Sequence, residues 1–212
     1  YFPGIETVGY IHSTLPALPS SLLARIGGSD TLFVHGIGQA EIMYNYLGWS
    51  QAQVHCIPSL RYRQNDTANF SGWIFLPYEF DQVTIIAAAF EAFLEAQSPG
   101  SLPNLVPRCH PARLQSSAHL QLMEQLNAIL QQYADRFSPS SDRQFSVFIG
   151  ATSAVIEALE KGIEVAHISA SPIFETFQPE VWTYIEVDQM GPNTFVYKLK
   201  QKGAYIELGA DS

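Results

Sequence analysis

Two short stretches of the chain carry residue types suited to holding an anion. "CHPARL" (109–114) sets His110 three residues before Arg113 with Pro111 between them, and "GATSA" (150–154) follows an apolar run with Gly150 and two adjacent hydroxyls, Thr152 and Ser153. Arginine offers a planar fork that matches phosphate oxygens, and histidine donates a hydrogen bond or carries a proton near neutral pH. The hydroxyl pair opens a helix, where unpaired backbone N–H groups and the positive end of the dipole favour negative charge. Each stretch also has a plain structural reading: Ser153 as an ordinary helix cap, and His110 as an incidental residue before proline. The capping-box position 156 is Ile, so Glu157 is not engaged there and either meets a ribose hydroxyl or faces solvent.

Other candidates are more local. His12 ends the strand-like "GYIH" (9–12) with hydroxyls beside it, the place for a general base as much as for a structural histidine. "VHGIGQAE" (34–41) has Gly36 and Gly38 between a strand and a helix but Glu41 where the dinucleotide fingerprint needs a third small residue, so tight packing is favoured over a cofactor loop. His55 and His167 lie inside apolar runs and read as core or edge residues, and His119 shares the apolar stripe of a helix. Arg61, in "SLRY" (59–62), reaches toward a bound anion or lies on the surface.

These residues need strands and helices to place them. "TVGYIH" (7–12), "DTLFVHG" (30–36) and "VHCIP" (53–57) read as strands, with a helix over "GQAEIMYNYLG" that stops at Gly48. The polar "RQNDTANFSG" (63–72) reads as a linker. A second series begins with the strand "GWIFLPY" (72–78) and a helix over 81–96, followed by "NLVPRC" (104–109), a strand that Pro107 demotes, and a helix over 116–135. "FSVFIGATSAVIEALEKGIEVAHI" (145–168) reads strand, turn, helix, strand; a strand near 182–187 and a hairpin pairing "TFVYKLK" with "AYIEL" complete the chain. Such alternation predicts an α/β, Rossmann-like fold of parallel sheets with helices on both faces. Its units are the end of an N-terminal domain (1–63), a linker (64–72) and a C-terminal domain (73–212). Ligands of such sheets bind at the carboxyl ends of the strands. That rule singles out the loops 36–39, 77–81, 109–114, 150–154 and 168–174.

Composition narrows the partners. Hydrophobic residues make up 47% of the chain, enough for a substantial core, and a net charge of −9 with eleven basic residues opposes a nucleic-acid surface. Two cysteines, Cys56 and Cys109, stand in no metal spacing and fit a reducing compartment. No run reaches the length of a membrane span and no secretory leader is present. The opening "YFPGIETVGY" reads as the start of a processed or excised chain whose N-terminal half is missing.

"CHPAR", followed some forty residues later by "FIGATSAVIEALEKGIEVAHI", resembles the C-terminal half of GT-B glycosyltransferases of bacterial surface polysaccharide synthesis. The nearest likenesses are sialyl- and polysialyltransferases, capsule Kdo transferases and CDP-glycerol glycerophosphotransferases. The resemblance implies a GT-B fold with a truncated N-terminal domain and a CMP- or CDP-linked donor. Its phosphate and nucleotide would be held by His110-Pro111, Arg113, Gly150, Thr152-Ser153 and Glu157. "GYIHST" is similar to an acceptor-facing loop, which makes His12 and His110 the candidate catalytic residues. The donor serves as substrate, so no cofactor is implied. With no Asp-x-Asp motif, no metal is called for. The acceptor would be a glycan or a lipid-linked molecule, and the setting cytoplasmic, with peripheral membrane association possible at the inner membrane. A sugar-nucleotide epimerase of the same architecture and a non-catalytic nucleotide-binding module remain open beside this reading.

Overall fold

A computed structural model describes residues 5–59, 70–80 and 82–207. Residues 64–69 of the expected linker (64–72) and Arg61 lie outside these residues. The first unit is a parallel sheet of three strands, β1 (Val8–Tyr10), β2 (Thr31–Val34) and β3 (Val54–Cys56), in the order β1-β2-β3. Helix α1 (Ile37–Tyr46) follows β2 and ends before Gly48, whose φ of 78° suits only glycine at low cost.

The second sheet has six strands in the order β5-β4-β6-β7-β9-β8. These are β4 (Trp73–Phe75), β5 (Val106–Arg108), β6 (Phe145–Ile149), β7 (Glu164–Ile168), β8 (Ile185–Gly191) and β9 (Thr194–Leu199). The run β5-β4-β6-β7 is parallel, whereas β9 pairs antiparallel with both β7 and β8. The fold is therefore α/β, with one purely parallel sheet and one mixed sheet. Pro107 sits in β5, an edge strand, where a missing N–H costs no pairing on the open side.

The alternation within β6 and β7 shows how both faces are covered. Phe145, Val147, Ile149, Ala166 and Ile168 pack with α2 (Val83–Glu95) and α3 (Ser117–Gln132), through Ile86, Phe90, Leu94, Leu122 and Leu126. Phe148 and Val165 point the other way, toward α4 (Ala154–Glu160). Period-two alternation with both sets fully buried is what a central parallel strand requires. Among the described residues no helix is long and apolar enough to cross a membrane.

The two sheets share a core across the expected domain boundary. Leu32, Val34, Ile42 and Met43 of the first unit join Val155, Ile156 and Leu159 of α4 and Trp182, Tyr205 and Ile206 in one apolar cluster. The C-terminal hairpin differs from the sequence reading. Strand β9 turns back on β8, through Pro192 and Asn193, and not on "AYIEL". Residues 203–207 instead form an irregular strap between α4 and the first unit. The Glu160 carboxylate accepts from the N–H groups of Gly203 (2.5 Å), Tyr205 (2.7 Å) and Ile206 (3.1 Å). The strap also takes Gly38 N–H on Ala204 O (2.7 Å) and gives Glu207 N–H to His35 O (2.7 Å). Its donors are thus spent on a side chain, on a facing loop and, for Ala204, on Gln201 O in the preceding turn, leaving none to extend a ladder.

Candidate functional site

Because β5, β4, β6 and β7 run parallel and adjacent, their carboxyl ends deliver four loops to one rim. In spatial order these are 109–114, 76–80, 150–153 and 169–175. The HP stretch and the hydroxyl pair therefore share an edge of the sheet, with the loop after β4 between them.

His110 precedes a single 3₁₀ turn, Pro111–Arg113, and its Nδ1 accepts from Ala112 N–H at 3.2 Å. That bond fixes the tautomer of the neutral ring, leaving Nε2 as the protonated, donating nitrogen. The ring meets Tyr78 edge-on, at 5.3 Å between centroids. Arg113 lies over the same Tyr78 ring at 3.8 Å, gives Nε–H to Tyr78 O (3.0 Å) and pairs through Nη2 with Glu79 (2.7 Å). Glu79 is 77% exposed, so this ion pair contributes little and opens readily to a competing anion.

Gly150 closes β6 in the left-handed region, φ 64°, and a Cβ there would stand 3.2 Å from the Pro77 ring. Both conditions select glycine. Its carbonyl accepts from Nε2 of His167 at 2.8 Å, while Nδ1 of His167 accepts from the Tyr197 hydroxyl at 3.1 Å. Burial lowers the pKa of His167 to about 4, against the raising effect of its bond to Gly150. Beside it, Thr152 rather than Ser153 provides the local hydroxyl bond, accepting from Ala154 N–H at 3.3 Å. Ser153 has helical φ and ψ and makes no side-chain capping bond. Glu157 is buried and pairs within its own helix with Lys161 at 3.7 Å.

A cleft of about 420 Å³ opens at this rim, lined by Tyr78, Glu79, Arg113, His119, Ser171 and Glu175 among others. It takes in Arg113 but not His110, Thr152 or Ser153 in its walls. His119 is a clamp rather than a ligand: its Nε2–H donates to Pro77 O (2.9 Å) and its Nδ1 accepts from Ser116 (3.0 Å), tying α3 to the loop after β4. His12 belongs to a different place, a pocket at the carboxyl end of β1 in the first sheet.

Comparison with protein-family models, with curated proteins and with solved structures finds no match. The site must be read from its own groups.

Reasoning on the sequence alone missed Glu175, Ser169 and Ser171. The Ser169 hydroxyl donates to Glu175 at 2.5 Å, and Ser171 N–H reaches both Ser169 Oγ (3.0 Å) and Glu175 (3.3 Å). The Glu175 carboxylate comes within 3.8 Å of where a Gly150 Cβ would stand, so it sits between the loops after β6 and β7. The signal was present in "SASPIFE", where a serine precedes a helix-initiating proline and a carboxylate follows one turn later. The rim thus offers a guanidinium, a donating imidazole and hydroxyls, opposed by two carboxylates. Such a set suits a ligand carrying one anionic group together with hydroxyls that donate to Glu175.

Two substitutions separate capping from ligand binding in the 150–153 turn. Thr152→Ala removes the bond to Ala154 N–H and should lower stability by about 1 kcal/mol, whereas Ser153→Ala should leave thermal unfolding nearly unchanged. Equal losses in the two variants by urea titration would contradict this division of labour.

Proposed function

We propose that this chain is the donor-binding portion of a nucleotide-sugar glycosyltransferase of GT-B type, using a CMP- or CDP-linked donor in surface-polysaccharide synthesis on the cytoplasmic side. The observation that carries the reading is the pairing at one rim of His110, whose Nε2 is held as a donor, with Arg113, whose guanidinium is engaged among the described residues by exposed Glu79 and by Tyr78. In this reading the donor phosphate displaces Glu79 from Arg113 and accepts from His110. Positive charge and fixed donors then stabilise the charge that develops on the leaving phosphate. The hydroxyls of the donor meet Glu175 and the 150–153 turn. The acceptor approaches from the first unit, where His12 lies.

Calorimetric titration with CMP, CDP, UDP and GDP tests this directly. A cytidine nucleotide should bind most tightly, and His110→Ala or Arg113→Ala should each weaken it about 10- to 100-fold, the worth of a hydrogen bond to a charged group. Unchanged affinity in both variants, or no binding of any nucleotide, would refute the assignment. Turnover of a donor sugar without acceptor would favour the epimerase, and binding with neither transfer nor hydrolysis the non-catalytic module.

A further inference from the structure

The first sheet carries a pocket that the donor reading does not use. It has a volume of about 280 Å³ and is formed by the chain segment after β1 and the start of α1, with Trp182 from the second unit as one wall. Its walls include Ile11, Leu18, Leu22, Ile42 and Met43, and among the described residues no Asp, Glu, Lys or Arg lines it. His12 on the lining is exposed, so an ionised ligand seated against the apolar walls would lose its hydration without a buried partner of opposite charge, which costs far more than those walls return. The occupant is therefore neutral, and the volume, at the small end for ligand pockets, admits a ring or short chain.

The polar part of the wall defines the rest of the ligand. Thr14 and Gln39 are both buried, 3% exposed each. The Gln39 amide oxygen accepts from His35 N–H at 2.7 Å, and its Nε2 donates to the Thr14 hydroxyl. Thr14 thus accepts this bond and keeps its own hydrogen, and Gln39 keeps its second N–H. Neither hydrogen has a protein partner among the described residues. Each group already has one partner, and the remaining hydrogen of each, on the wall of an apolar pocket, is a donor that an acceptor oxygen of a ligand can meet. Trp182 is itself fixed by its bond to Pro16 O at 3.3 Å, so the wall is held in place before any ligand arrives.

We infer that this pocket is a second binding site, for an uncharged molecule with an apolar ring or chain and a hydroxyl or carbonyl oxygen that accepts from Thr14 and Gln39. His12 and Tyr10, exposed at the same pocket, contact whatever extends beyond it. The inference uses none of the residues placed at the other rim, so nucleotide binding there can fail without touching it.

Phenol is the simplest probe, with benzoate as its charged counterpart and toluene as its counterpart without oxygen. Titrations are followed on the Trp182 indole N–H resonance of the full chain, assigned by its disappearance in Trp182→Phe. Phenol should shift this resonance saturably and benzoate should not. Thr14→Val should weaken phenol about fivefold while leaving toluene unchanged, the effect of one lost hydrogen bond. Ala17→Trp, which fills the pocket from an exposed position, should abolish phenol binding and serves as the deciding variant should Thr14→Val not fold. An absent phenol response, benzoate binding as tightly as phenol, or phenol affinity unchanged in either folded variant would overturn the inference.

Discussion

Glu160→Ala should destabilise the chain by about 3 kcal/mol and lower its melting temperature by roughly 10 °C. The carboxylate is 1% exposed and accepts three backbone N–H bonds from the strap at 203–206. Burial raises its pKa, and the three bonds together with Lys202 offset this. Truncation relieves the desolvation of the carboxylate but strands the buried N–H groups of Tyr205 and Ile206, each costing about 1–3 kcal/mol. The stranded donors outweigh the relief. Glu160→Gln keeps one acceptor oxygen for Tyr205 and Ile206 but turns an amide donor toward Gly203 N–H, so about half the loss is expected.

The same strap can be loosened from its other side. A Cβ on Gly36 would overlap the Ala204 carbonyl and lie 2.7 Å from the Tyr205 carbonyl carbon, and one on Gly38 would lie 2.6 Å from the Tyr205 ring. Gly36→Ala and Glu160→Ala should therefore both raise hydrogen exchange at Tyr205 and Ile206, and combine less than additively because they release one element. A Glu160→Ala variant that melts within 2 °C of the parent, or strictly additive losses, would show that the strap does not join the two sheets.

This pair of glycines shows where the sequence was legible and where it was not. The reading of 34–41 favoured close packing over a cofactor loop, and the packing partner is the strap, more than 160 residues away. A glycine reports that something comes near and not what comes near. The same limit explains the hairpin. "TFVYKLK" and "AYIEL" are both good strand sequences, and the positions of Glu160 and of the 35–38 loop, far away in the chain, decide that the second is not a strand. By contrast, Phe145–Ile149 and Glu164–Ile168 were legible in full because a buried parallel strand writes its own apolar run. Loops at the rim were legible as places, through topology. Their chemistry was less so: Arg113 and His110 were marked by residue type, while Glu175 acts through a fold-back onto Ser169 whose signal in "SASPIFE" is weaker than a residue type alone. For the hydroxyl pair, the capping alternative named Ser153, whereas Ser153 carries helical dihedrals without a capping bond and Thr152 makes the local bond.

His167 leads to the second large effect, an acid-dependent loss of stability. The ring is fully buried and neutral, donating to Gly150 O and accepting from Tyr197, whose hydroxyl in turn accepts from Phe177 N–H at 3.3 Å. Protonation would place a second N–H against a hydroxyl already arranged to donate, in a fully buried site. The folded pKa is lowered to about 4, against about 6.5 for an unfolded histidine. The unfolded chain therefore takes up the proton first as pH falls. The stabilisation is complete above about pH 6.5 and declines toward pH 4, by about 3 kcal/mol in total and about 2 kcal/mol by pH 5. Urea unfolding of the parent and of His167→Gln at pH 7 and pH 5 isolates this contribution, because the surface carboxylates titrate alike in both. The parent should lose about 2 kcal/mol more than the variant over that interval. Burial resists the proton and the bond to Gly150 O favours it, and because the same ring holds that carbonyl, acid should also raise hydrogen exchange in the 150–153 turn before global unfolding. Equal pH dependence in the two proteins would mean that His167 is protonated without cost, and that the turn at the rim is held by Pro77 and its own backbone alone.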